Sequence, residues 1–146
     1  MGVMEKLVYL RRHPLLGRAA RELLLVYGLD FPPEVTLGPD LRLQHRGIGS
    51  VIHPATTIGK SVTLYHQVTI GRADAHVHIS QSPFQGIVIE DGVILYPGAK
   101  ILGGPGVTRI GRNSIVAANA VVMQSIPDNE VWVGVPARRA TSRLSA

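Results

Sequence analysis

One spacing constrains this chain more than any other feature: from Leu37 onward, aliphatic residues return every six positions. Leu37 and Leu43 begin the series, Ile52, Ile58, Leu64 and Ile70 continue it, and Ile89, Leu95 and Ile101 follow. Ile110, Val116 and Val122 complete it. A glycine or alanine often comes next, as in Ile58-Gly59, Ile70-Gly71 and Val116-Ala117. Four positions after the aliphatic residue stands another small or apolar one, such as Val62, Val68, Ala99 or Ala120. Helices repeat every 3.6 residues and half-buried strands every two, so neither explains a period of six. The pattern predicts an all-β solenoid, a parallel β-helix in which each hexapeptide supplies one short strand and one turn. Three strands close a triangular coil of about 18 residues, and coils stack at ~4.8 Å, so the recurring side chains fill a narrow prism as ladders.

Residues 1–29 follow another rule and are expected as a short helical segment. Leu7, Leu10, Leu15, Leu16, Ala19, Leu23, Leu24 and Tyr27 recur at three- and four-residue steps. His13-Pro14 divides this stretch into two helices, because proline disfavours helical backbone in the residue before it. Arg11, Arg12, Arg18 and Arg21 are expected mainly on the opposite side. Such a basic amphipathic helix can lie on a membrane, but packing against the rest of the domain or a sister subunit is the expectation. The solenoid should span 30–138, leaving 139–146 as a C-terminal tail. Two interruptions stand out. Residues 72–86 break the repeat, are polar, carry two histidines and should project as a loop. Gly103-Gly104-Pro105-Gly106 forms a smaller bulge between coils.

Composition narrows the chemistry. There is no cysteine among the 146 residues, which removes disulfides, thiolate metal sites and a thiol nucleophile, and fits a cytoplasmic setting. No apolar run approaches the ~18 residues that span a bilayer, and the charged residues after Lys6 break the apolar stretch of a secretory signal. The net charge of +5 invites nucleic acid as a partner, yet aromatics are only 5% and no run of five basic residues occurs. A basic protein is equally suited to a phosphorylated small molecule.

The repeats, closing on Gly134-Val135-Pro136-Ala137-Arg138, resemble those of the left-handed β-helix acyltransferases. Within that superfamily the chain is most similar to serine acetyltransferases and related sugar and polysaccharide O-acetyltransferases. The segments that carry the resemblance are 37–45, Val51-Ile52-His53-Pro54, Val68-Thr69-Ile70-Gly71, 97–103 and 117–122. The resemblance implies a left-handed coil, a homotrimer with active sites between subunits, and acetyl-CoA as acyl donor to a small hydroxyl acceptor, with no metal. It implies His45 as general base, with Asp30, fifteen residues earlier, as the carboxylate that holds the imidazole. His45 would take the acceptor hydroxyl's proton, the oxygen would attack the thioester, and backbone N–H groups would steady the oxyanion. Neither cysteine nor a G-x-S-x-G elbow is present, in keeping with direct transfer. By the same resemblance, Gly71, Gly98, Ala99, Ala117 and Ala118 line the pantetheine path, and Arg138 and Arg139 meet the nucleotide phosphates.

The resemblance also has gaps. Serine acetyltransferases place an aspartate before the catalytic histidine, where this chain has Gln44. Their later Arg-His pair, which meets the acceptor carboxylate, is matched loosely by Arg72, His76 and His78. A sugar hydroxyl or another small alcohol therefore stands beside serine as acceptor. Two alternatives belong to other classes. Gamma-class carbonic anhydrases share the solenoid and bind zinc through three histidines, and His53, His66, His76 and His78 bring them to mind, but their H-x4-H pair is missing. A noncatalytic scaffold is the other alternative, since fold does not fix function.

Overall fold

In the computed structural model, which describes residues 1–142, the chain passes through three parallel sheets in turn and returns to the first. One face consists of β1 (Thr36–Leu37), β4 (Thr56–Ile58), β7 (Phe84–Ile89) and β10 (Gly106–Ile110). The second holds β2 (Arg42–Leu43), β5 (Thr63–Leu64), β8 (Ile94–Leu95), β11 (Ile115–Val116) and β13 (Glu130–Val133). The third holds β3 (Val51–Ile52), β6 (Thr69–Arg72), β9 (Lys100–Gly103) and β12 (Val121–Val122).

Register turns the sequence period into three ladders. Leu37, Ile58, Ile89, Ile110 and Ile126 align on the first face. Leu43, Leu64, Leu95, Val116 and Trp132 align on the second, and Ile52, Ile70, Ile101 and Val122 on the third. Apart from half-buried Leu37, every member is buried, and Val62, Val68, Val93, Ala99 and Ala120 close the corners between them. Each side chain thus removes its apolar area from water by stacking on the same position one coil away.

Corners need backbone that ordinary residues avoid. Asp40, Ser61, Gly92 and Asn113 each stand two residues before a strand of the second face and Asn129 one residue before β13, and all have positive φ. Aspartate, asparagine and glycine tolerate that region best. Two fully buried serines tie adjacent coils. Ser50 Oγ donates to Tyr65 O at 3.2 Å and accepts from Val68 N, while Ser114 Oγ donates to Pro127 O at 2.7 Å and accepts from Glu130 N.

The helices α1 (Val3–Leu10) and α2 (Gly17–Val26) close the N-terminal end of the prism, and the break falls at the expected His13-Pro14. Met4, Val8 and Leu24 enter the core, whereas Leu15, Leu16, Leu23 and Tyr27 remain exposed, because the end of a prism accepts only a narrow stripe. Side chains of α1 also satisfy open backbone of the first coil. Glu5 Oε1 accepts from Leu43 N, and Tyr9 OH donates to Gly38 O and accepts from Leu41 N. Covering an exposed sheet edge in this way prevents pairing with other chains.

Arg11 departs from the expected solvent side and is 5% exposed. Its guanidinium donates to the carbonyls of Pro32, Val8 and Val35 and lies 4.8 Å from the Phe31 ring centroid. Those carbonyls explain the inversion, since a buried cation is tolerated where acceptors surround it. Burial, then the charge of Arg12, lowers its pKa to about 10, so it stays charged at neutral pH.

At the other end, β14 (Arg138–Ser142) pairs antiparallel with β13, so the expected tail begins as a strand that covers the last open edge. The remainder of that tail, 143–146, lies outside the described residues. The polar interruption is shorter than the expected 72–86: Arg72 ends β6 and Phe84–Gly86 begin β7, which leaves 73–83 between the strands. It is folded by Arg72, which pairs with Asp74 at 3.4 Å and donates to Val77 O at 2.6 Å, and by Ser82 Oγ, which donates to Asp74 Oδ2. No helix among the described residues is long and apolar enough to cross a membrane.

Candidate active site

The corner joining the second and third faces is longer in the first coil than elsewhere: Leu43 to Ile52 takes nine positions, Leu64 to Ile70 only six. The three extra residues lie around His45. His45 (φ 51°, ψ 35°), Arg46 (φ 61°) and Gly47 (φ 65°) are three consecutive left-handed residues, the first two carrying side chains. Each such non-glycine residue costs about 1–2 kcal/mol, and strain of this kind gathers at functional sites. The turn leaves Gly47 buried against Leu29 and Leu43 and thrusts Gln44, His45 and Arg46 into solvent.

The His45 ring meets two neighbours from the next coil. It lies edge-on to His66 at 5.0 Å, and its centroid is 6.3 Å from that of Tyr65. Tyr65 stacks in turn on Tyr96 one coil further, with centroids 5.0 Å apart and planes 9° from parallel. The backbone register continues the same columns. Tyr65 N donates to Leu95 O, Tyr96 N to Val116 O and Ala117 N to Trp132 O, which aligns Tyr65, Tyr96 and Ala117. His45 and the expected donor residues Gly98, Ala99, Ala117 and Ala118 therefore lie along one corner of the prism, in successive coils.

Asp30 extends the third face beyond β3. It forms a parallel bridge with Val51, with its N–H on Ser50 O and its carbonyl accepting from Ile52 N. Its backbone thus runs beside the segment that leaves the His45 turn. Its half-buried carboxylate borders an open groove of about 540 Å³ shared with Arg21, His53, Gly71 and Arg72. Among the described residues no hydrogen bond or ion pair joins Asp30 to His45. Hydrogen bonds of catalytic groups are often long before substrate binds and tighten in the complex. In the groove, burial and then the charge of Arg72 lower the pKa of His53. Its ring packs edge-on to Phe84 at 5.0 Å.

The small residues separate into two kinds. A Cβ on Gly98 (φ 73°) would meet Asn119 Oδ1, and its N–H already donates to His66 O, so its place in the turn explains the glycine. The N–H groups of Ala99 and Ala117 are likewise held, by Tyr96 O and Trp132 O. Gly71 differs: no atom stands within 4 Å of where its Cβ would be, so a side chain there would fill only the groove. Ala118 is exposed and lies at the free outer edge of the corner. Gly71 thus leaves open space in the groove on the third face, and Ala118 leaves the corner between the second and third faces uncrowded.

The remaining expected residues are more dispersed. Arg72 is occupied within its loop, as described above. His78 turns its Nδ1 toward the Ser80 hydroxyl and N–H, while His76 is exposed on the same loop. Arg138 is exposed and donates to Ala137 O, and Arg139 pairs with Glu130 at 3.3 Å. Among the described residues, no three histidine or carboxylate side chains converge on a metal position. His66 is the neighbour of His45 that motif reading passes over. Its signal is positional, since it follows His45 by the same offset that carries Leu43 to Leu64.

No family model matches the chain. It is 38% identical over 123 residues to serine acetyltransferase of Mycobacterium tuberculosis, across 84% of this chain and 50% of that protein. The structure of Neisseria gonorrhoeae serine acetyltransferase in complex with serine is similar with a TM-score of 0.76 at 26% identity, covering 94% of this chain and 55% of that one. Soybean serine acetyltransferase complexed with serine gives 0.74 at 28% identity, over 94% and 54%. The chain spans about half the length of the curated relatives it matches. Its six-residue ladders and these likenesses make the chain similar, in sequence and in fold, to the hexapeptide-repeat acetyltransferases and among them to serine acetyltransferase.

Proposed function

We propose that this chain is an acetyl-CoA-dependent O-acetyltransferase that acts on a hydroxyl of a small acceptor, with His45 as general base. The observation that carries this reading is the strained, outward-facing His45 turn on the same corner as the small residues of the expected donor path. His45 accepts the hydroxyl proton as the acceptor oxygen attacks the thioester carbonyl; the thiolate then leaves and takes the proton back. Backbone N–H groups aimed at the developing oxyanion lower the barrier. Asp30 orients the imidazole and stabilises its charged form once the complex draws the two together.

The coenzyme lies along the corner and over Gly71, with Arg138 and Arg139 toward its phosphates. The same reading gives the coil a left hand and groups three copies in the cytoplasm with sites between them; light scattering tests the trimer. One observation bears on the acceptor. Arg72 is held by Asp74 and Val77, and Gln44 replaces an aspartate, so neither serves a free amino acid's carboxylate or ammonium well. A sugar hydroxyl is the second reading.

The test is thiol release from acetyl-CoA with L-serine, amino alcohols and a sugar panel as acceptors. Turnover with one acceptor class is expected. Failure with every acceptor would move the reading to a noncatalytic scaffold.

A further inference from the structure

We propose that His66 is a positioning residue for His45, holding the base's ring in the orientation that proton transfer needs. The inference rests on His45 being the base. Three observations meet at this residue. The first is contact: the two imidazoles are edge-on at 5.0 Å, and His66 stands one coil below the strained turn.

The second is an unpaired atom. His66 Nδ1 is buried without a hydrogen-bond partner, which costs desolvation that an apolar ring of the same size would avoid. No hydrogen bond of that nitrogen holds the ring, so what the half-buried ring offers His45 is its shape and its aromatic edge.

The third is the frame behind it. Gln67 N donates to Ile48 O at 2.7 Å, tying the His66 corner to the end of the His45 turn. Gly98 N donates to His66 O, and Lys100 Nζ bridges Gln67 O and Gly98 O at 2.8 and 2.9 Å. Ser50 Oγ fastens Tyr65 O from the other side. Only a side chain fixed by such supports can fix another. With Tyr65 as the second wall, His66 restricts the rotation of a ring that the exposed turn would otherwise leave free.

The test compares full-length wild type, His66→Phe and His66→Ala by crystallography and kinetics. Phenylalanine keeps an aromatic edge and removes both nitrogens; alanine removes the ring. His45 should occupy one orientation in wild type and His66→Phe and several in His66→Ala. Misplacing a base by about 1 Å lowers kcat roughly 10- to 100-fold, so that loss is expected in His66→Ala, with KM for acetyl-CoA unchanged. His66→Phe should restore kcat to within about threefold of wild type. A single His45 orientation in His66→Ala would overturn the inference, as would a His66→Phe as impaired as His66→Ala. The crystallographic result stands whether or not an acceptor is found. Turnover that survives His45→Ala would instead remove the base assignment itself, a separate outcome.

Discussion

Ile101→Ala offers the most direct probe of the prism. Ile101 is fully buried in the third-face ladder, in register with Ile70 on one side and Val122 on the other. Truncation removes three carbons, each worth about 0.8 kcal/mol in transfer from water. It adds about 24 cal/mol for every Å³ that stays empty. Both ladder neighbours belong to strands paired through the backbone, so neither can slide into the gap. The expected loss is about 4 kcal/mol, toward the upper end of the ~2–5 range for such truncations, against about 1 for Ile101→Val. Equilibrium urea unfolding at fixed protein concentration measures it, with buried Trp132, the single tryptophan, as the reporter. A loss below about 1.5 kcal/mol for the alanine would show that the core collapses and is not a rigid prism.

Other consequences are equally specific. Arg11→Met should cost about 2–3 kcal/mol by removing the charged donor shared by the carbonyls of Pro32, Val8 and Val35, and should speed hydrogen exchange along α1; unchanged exchange would contradict the anchoring. Gly98→Ala should lose about 1–2 kcal/mol to its left-handed backbone, whereas Gly71→Ala should leave the melting temperature unchanged and raise KM for acetyl-CoA. The opposite pattern would reverse their assignments. His53, with a pKa lowered in the folded protein, leaves the unfolded chain the better proton acceptor, so stability falls as pH drops through the unfolded value of about 6.5. His53→Gln should reduce that loss, and urea midpoints with equal pH slopes in both proteins would contradict it.

The solenoid is legible in the chain because each ladder residue faces the same environment in every coil, so one chemical demand repeats at one period. The proposal of His45 as base has a different source, the resemblance of its segment to a known motif. The environment around it is not. His66 and Tyr65 meet His45 only because coils stack, a neighbour relation set by coil length and not by local pattern. The nine-position step from Leu43 to Ile52 is visible in the sequence and marks the strained turn, but only register shows that it is three residues too long. Arg11 defeats simple amphipathic reading because its partners are carbonyls from Pro32 and Val35, far along the chain. Helical periodicity similarly overstates the buried face of the N-terminal segment, since nothing in the sequence of Leu15, Leu16 and Leu23 records how little surface the prism end offers.

The central claim is that His45 acts as the base, and His45→Ala tests it most directly. Thiol release from acetyl-CoA, measured for wild type and variant with the acceptor that wild type uses best, should fall by roughly 100-fold or more while acetyl-CoA still binds. Turnover near the wild-type rate in His45→Ala would contradict the assignment and move the chemistry elsewhere on the solenoid.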